Sequence, residues 1–124
     1  MPSVNMEQWR FLKDIALLIH YIEDCGYIAT GGELKRTIEQ QRIHMDAGRS
    51  NTINSKHLLS LGADVRVRIE GKFSWDYSPE ECLARWKHIG MYWEGLSPQN
   101  VWGGHFESLF DPDHFERDPK KGKV

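Results

Sequence analysis

Two short segments, far apart in the sequence, constrain this chain more than any other feature: Ser55-Lys56-His57 running on to Asp64, and Asp111-Pro112-Asp113-His114-Phe115-Glu116. Brought together, they offer two imidazoles and a carboxylate to one metal ion, with a further carboxylate beside it. A catalytic zinc site takes three protein ligands and leaves a fourth position open for water, whose pKa the ion lowers to roughly 7. His57, Asp64 and His114 are the candidate ligands. The fold must therefore bring the middle of the chain and its C-terminal part onto one surface.

The spacing says how. His57 and Asp64 are 64 − 57 = 7 residues apart. An odd separation puts two residues on opposite faces of an uninterrupted strand, so the chain has to turn between them, and Ser60 and Gly62 permit that. In Asp111-Pro112-Asp113-His114, aspartate and proline hold the first and second positions of a four-residue turn, where both are favoured. The turn makes Asp111 and His114 neighbours, one as base and one as ligand. A carboxylate beside the reacting water can take its proton and return it to a leaving amine, the general acid/base role that a peptide hydrolase requires. Asp111 is the candidate. Arg36, on a helix, can steady a developing oxyanion or clamp a substrate carboxylate.

Around these segments the pattern is mixed α and β. Apolar residues at helical spacing from about Asn5 to Cys25 (Trp9, Leu12, Ile15, Ala16, Ile19, Ile22) predict a core-packing helix, stopped by Gly26. Tyr27 to Thr30 is short and β-prone, and Gly31-Gly32 leads into a second helix from about Glu33 to Ala47. The polar stretch from Gly48 to Ser55 reads as a surface loop that delivers His57. Ala63 to Ile69 alternates, with Val65, Val67 and Ile69 against Arg66 and Arg68, as a half-buried strand does, and Glu70-Gly71-Lys72 then turns the chain. Ser78-Pro79-Glu80-Glu81 supplies an N-cap, a first-turn proline and a capping-box glutamate for a third helix through about Gly95, with Leu83, Trp86, Ile89, Gly90 and Trp93 as its packing stripe. Val101 to Phe106 and Asp111 to Arg117 predict two short strands flanking a loop.

A chain of 124 residues with 40% hydrophobic content closes one core. We expect one domain over residues 1–117 and a frayed, charged tail over 118–124. The net charge of −2 gives no strongly basic face for nucleic acid, so none is expected as a partner. Cys25 and Cys82 lack metal-type spacing and read as reduced, buried residues. No membrane span is expected, and the N-terminus lacks the pattern of a signal peptide. The expectation is synthesis in the cytoplasm, with any action outside following another route of release.

Four blocks in order, Gly32 to Gln41, Asn54-Ser55-Lys56-His57 with Asp64, Trp102-Gly103-Gly104, and Asp111 to Phe115, resemble the zinc D-alanyl-D-alanine carboxypeptidase and L-alanyl-D-glutamate endopeptidase family, within it the phage endolysin branch. The resemblance implies a small α+β fold of the Hedgehog/DD-peptidase type, with a short antiparallel sheet carrying one zinc ion. It implies hydrolysis of peptide bonds in the peptidoglycan stem, on the cell wall, after holin-type release or delivery by a phage particle. The family roles fall on His57, Asp64 and His114 as ligands, Asp111 as base and Arg36 as substrate or oxyanion contact. Aspartate, not glutamate, three residues before the last ligand resembles the L-alanyl-D-glutamate endopeptidases. Ser60 and Gly62 depart from the glycine and alanine common in the family, which bears on loop shape.

Blander readings stand beside these. Asp64 can cap a turn, Asp111 before proline can be turn chemistry, and Arg36 can be a solvated helix arginine. Ser55 either hydrogen-bonds at the substrate or shapes the loop, and Trp102 is either a cleft wall that meets substrate or a core residue. His20, His44 and His88 read as surface or hydrogen-bonded histidines, and His105 as a surface or substrate-side residue. The rival to an enzyme is a module that keeps the fold and binds the wall, or a phage structural partner, without turnover. Such a module has no need of Asp111.

Overall fold

The computed structural model describes residues 4–31, 61–105 and 110–121. The expected second helix, the loop after it, and with them Arg36, His44, Ser55 and His57, lie outside these residues. In chain order the described elements are helix α1 (Val4–Asp24), strands β1 (Ile28–Gly31) and β2 (Gly62–Arg68), a 3-10 turn (Ser74–Asp76), helix α2 (Pro79–Leu96), strand β3 (Asn100–Trp102), a second 3-10 turn (Gly103–His105) and strand β4 (His114–Arg117). The strands form one antiparallel sheet in the order β1-β2-β4-β3, and the two helices pack on it. The fold is α+β, as expected.

The α1 core face shares Ile15, Ile19 and Ile22 with the expected stripe and differs at the rest. Phe11, Ile15, Leu18 and Ile22 are buried, whereas Trp9 is 56% and Leu12 54% exposed and Ala16 is exposed too. The apolar arc of this helix is wide, and its buried part includes two carboxylates, Glu7 and Asp14. Each has a distant partner: Arg117 Nε donates to Glu7 (2.5 Å), and Asn100 Nδ2 donates to Asp14 (3.1 Å). A buried carboxylate is tolerated only when paired or hydrogen-bonded, and these pairs tie α1 to the far end of the chain. The helix ends as expected: Gly26 takes a φ of 83°, Tyr27 N–H donates to Ile22 O (3.1 Å) and Gly26 N–H to Glu23 O (2.9 Å). This is the Schellman arrangement that glycine permits at little steric cost.

β2 alternates as its sequence predicts, with Val65, Val67 and Ile69 buried and Arg66 and Arg68 exposed. Ile69 and Lys72 exchange two backbone hydrogen bonds across a two-residue loop in which Glu70 and Gly71 both have positive φ. Helix α2 begins at the expected cap, Ser78 Oγ accepting from Glu81 N–H (3.2 Å). Its buried stripe is Cys82, Trp86, Ile89, Gly90 and Trp93, and Cys82 takes the place expected for Leu83, which is exposed. Cys25 is only half-buried, contrary to expectation, and both thiols are free. The start of the expected tail is tied down: Asp118 N–H donates to Gln99 O (2.8 Å) and Lys121 Nζ to Asn100 O (2.7 Å). Among the described residues, no helix is long and apolar enough to cross a membrane.

Trp93 is the centre of the core, edge-on to Phe11 of α1 (5.7 Å) and to Phe115 of β4 (5.8 Å). Beside it, Gly90 lets the Trp102 indole lie against α2. A Cβ at Gly90 would stand 2.1 Å from that ring. Gly90→Ala gains about 1 kcal/mol of helix propensity, but overpacking a rigid core ring costs typically 1–3 kcal/mol or more. The clash wins, and thermal unfolding should show a Tm roughly 5 °C or more below wild type.

Candidate functional site

The register of β2 against β4 creates the site. Asp64 pairs with His114 across the two strands, and residues directly opposite in an antiparallel pair hold their Cβ atoms about 4.5–5.5 Å apart. The His114 Nδ1 atom lies 3.3 Å from Asp64 Oδ1, and Nε2 lies 2.8 Å from Glu116 Oε1. Glu116 stands two residues on from His114 and so shares its face of the strand.

Asp111 reaches the same place through the Asp-Pro-Asp-His turn, which closes as expected with His114 N–H donating to Asp111 O (3.1 Å). The turn is held from two sides. Val65 N–H donates to Asp113 O (2.8 Å) and Trp102 Nε1 to Pro112 O (2.8 Å), while Asp111 N–H donates to Gly103 O (3.1 Å). The carbonyls of Asp111, Pro112 and Asp113 are thus all tied to donors. Asp64, Asp111 and His114 each bring one ligand atom within 4.8 Å of the other two. Of the residues expected at the site, the structure unites these three.

Of the two readings of Trp102, the structure supports the core one and sets aside the substrate contact, because its side chain is fully buried. Its indole packs under Gly90 and Gly104 and spends its one donor on Pro112 O, so it positions the turn and does not touch a ligand. Gly103 is demanded by the same packing, since a Cβ there would lie 2.2 Å from Asp111 O. His105 is exposed, its Nδ1 lies 3.2 Å from Glu94, and it is not one of the three residues that converge at Asp64. His88 sits between the Tyr21 hydroxyl (2.9 Å) and the Tyr27 hydroxyl (3.3 Å), and His20 is exposed, so both match the bland reading.

The electrostatics suit a cation. Burial by itself lowers the pKa of His114, but hydrogen bonds to Asp64 and Glu116 and the charges of both outweigh it and raise the value to about 9. For Asp113, burial raises the carboxyl to about 6, opposed by the Ser74 hydrogen bond and Arg66 and assisted by the charges of Asp111 and Asp64. Cys82 is nearby, but burial, with the Asp113 charge adding, pushes its thiol up to about 11. It stays protonated at neutral pH and supplies no thiolate nucleophile.

A metal ion fits this donor set. Imidazole and carboxylate oxygen are ordinary zinc donors, with bonds of about 2.0–2.2 Å, so two ligands of one tetrahedral ion stand roughly 3.4 Å apart. Asp64 Oδ1 and His114 Nδ1 are 3.3 Å apart. A ligating histidine almost always gives its second nitrogen to a carboxylate or carbonyl, which fixes the ring and raises its basicity. Glu116, 2.8 Å from His114 Nε2, is placed to do this if His114 ligates. Its role was missed in the sequence, although the His-x-Glu spacing on a strand was the available signal. Glu116→Gln is expected to lower zinc affinity 10- to 100-fold with little change in the far-ultraviolet spectrum, as measured by competition with a chromogenic chelator.

The chain matches no protein-family model and no curated protein. It does match a solved structure, the crystal structure of Serratia marcescens L-Ala D-Glu endopeptidase ChiX, with a TM-score of 0.67 over 86% of this chain and 77% of that one. The two share a fold. The identity is 24%, so the likeness to ChiX establishes the architecture, and the chemistry rests on the side chains.

Proposed function

We propose that this chain is a zinc-dependent peptidase that hydrolyses the peptidoglycan stem peptide, with the L-alanyl-D-glutamyl bond as its target. The observation that carries this is the meeting of Asp64, His114 and Asp111 on strands β2 and β4 and the turn before β4. The shared fold with an L-Ala D-Glu endopeptidase and the motif order in the sequence support the same reading.

Asp64 and His114 would hold the ion, with His57 as the proposed third ligand. Bound there, zinc would supply Lewis-acid polarisation of a scissile carbonyl and a water of pKa roughly 7. Asp111 takes the proton of the attacking water and delivers it to the departing amine. Glu116 keeps the His114 ring turned so that Nδ1 faces Asp64. Arg36 and Ser55 are assigned to substrate, the arginine through a carboxylate or the developing oxyanion. The motif order further suggests a phage or prophage endolysin-like setting.

Mass spectrometry of a soluble stem peptide after incubation with the zinc-loaded protein tests the bond. Free L-alanine and the peptide shortened by it are the expected products. Loss of terminal D-alanine instead would assign the carboxypeptidase branch, and an intact peptide would count against any peptidase.

A further inference from the structure

A pocket of about 320 Å³ opens beside Asp111, between the first 3-10 turn and the start of α2. Its walls are aromatic or apolar, chiefly Trp75, Tyr77, Phe110 and Pro112, and its polar groups are Ser74, Asp111 and Asp113. Trp75 is 61% exposed and lies flat against Phe73, with ring centroids 4.6 Å apart and planes within 9°. An exposed indole held by a stacked ring is a ready-made contact surface. Asp113 accepts a hydrogen bond from Ser74 Oγ (2.9 Å) through Oδ2, while Oδ1 is buried and has no partner. A buried carboxylate oxygen without a donor asks for one.

An aromatic wall ending in carboxylates matches one kind of group: an aliphatic stem that packs on rings and carries a terminal ammonium. Asp111 belongs both to this pocket and to the candidate metal centre, so a side chain seated in the pocket belongs to a residue close to the scissile bond. We propose that the pocket is a specificity subsite that takes the side chain of a basic, diamino-acid residue of the substrate, with Trp75 as its wall and Asp113 as its anionic end. The inference rests on the peptidase reading for the identity of the substrate.

Two synthetic stem peptides test it, identical except for lysine or Nε-acetyl-lysine at the residue after D-glutamate, with binding followed by isothermal titration and turnover by mass spectrometry. The zinc-loaded wild type should bind and cleave the lysine peptide at least ten-fold better than the acetylated one. Trp75→Ala, which alters an exposed side chain and leaves the core intact, should lose most of that preference, mainly through KM. Asp113→Asn should lose it too and is informative if its far-ultraviolet spectrum is unchanged. Equal handling of the two peptides by the wild type, or an undiminished preference in Trp75→Ala, would overturn the subsite while leaving the peptidase reading in place. Tighter binding of the lysine peptide without cleavage of either would support the subsite and remove the peptidase reading.

Discussion

Asp111→Asn should yield a folded protein that binds zinc with wild-type stoichiometry and cleaves stem peptide about 10²- to 10⁴-fold more slowly, the range expected for removing a general acid/base. The substitution keeps shape and most hydrogen bonds, because the Asp111 backbone, held by Gly103 O and His114 N–H, defines the turn. It removes the oxygen proposed to exchange the proton. Zinc content by atomic absorption and turnover by peptide mass spectrometry separate the two effects. A variant that loses its zinc would make Asp111 a ligand in place of a base, an arrangement its proximity to Asp64 and His114 also permits. A variant with full turnover would remove Asp111 from the chemistry altogether.

Gly103→Ala is expected to damage activity far more than stability. The added Cβ would meet Asp111 O at 2.2 Å and His114 Cβ at 3.0 Å, so the turn has to move as a unit away from β3. Overpacking of this kind costs typically 1–3 kcal/mol, which leaves a cooperative fold. Displacing a reacting group by about 1 Å can cost on the order of 10²-fold in rate. Turnover should therefore fall roughly 100-fold at a temperature where circular dichroism still shows the folded protein. Activity retained in proportion to the folded fraction would mean that the turn is not fixed by Trp102-Gly103 in the way described.

Local signals were legible. The alternation of Val65, Val67 and Ile69, the Ser78-Pro79 cap and the Asp111-Pro112 turn depend on neighbours in sequence, and the structure places each as expected. The core face of α1 was legible in part: Ile15, Ile19 and Ile22 fall on it as expected, but Glu7 and Asp14 look like surface residues until Arg117 and Asn100 are seen to satisfy them from the other end of the chain. Trp102 stayed open between two readings for a related reason. An indole beside a glycine pair can wall a cleft or fill a core, and only the packing against Gly90 and the bond to Pro112 O decide it. At the site, Asp64 and His114 were grouped as candidate ligands, but their pairing follows from a strand register that no local spacing shows, and Glu116 behind His114 gave only a His-x-Glu spacing.

Release of new amino termini from purified peptidoglycan, measured in buffer, with a zinc chelator and after zinc is restored, tests the central claim most directly. The account predicts release that the chelator abolishes and zinc recovers, with Asp111→Asn at least about 100-fold slower than wild type when zinc is present. Release that survives complete removal of the metal, or no release from a folded and zinc-loaded protein, would contradict it.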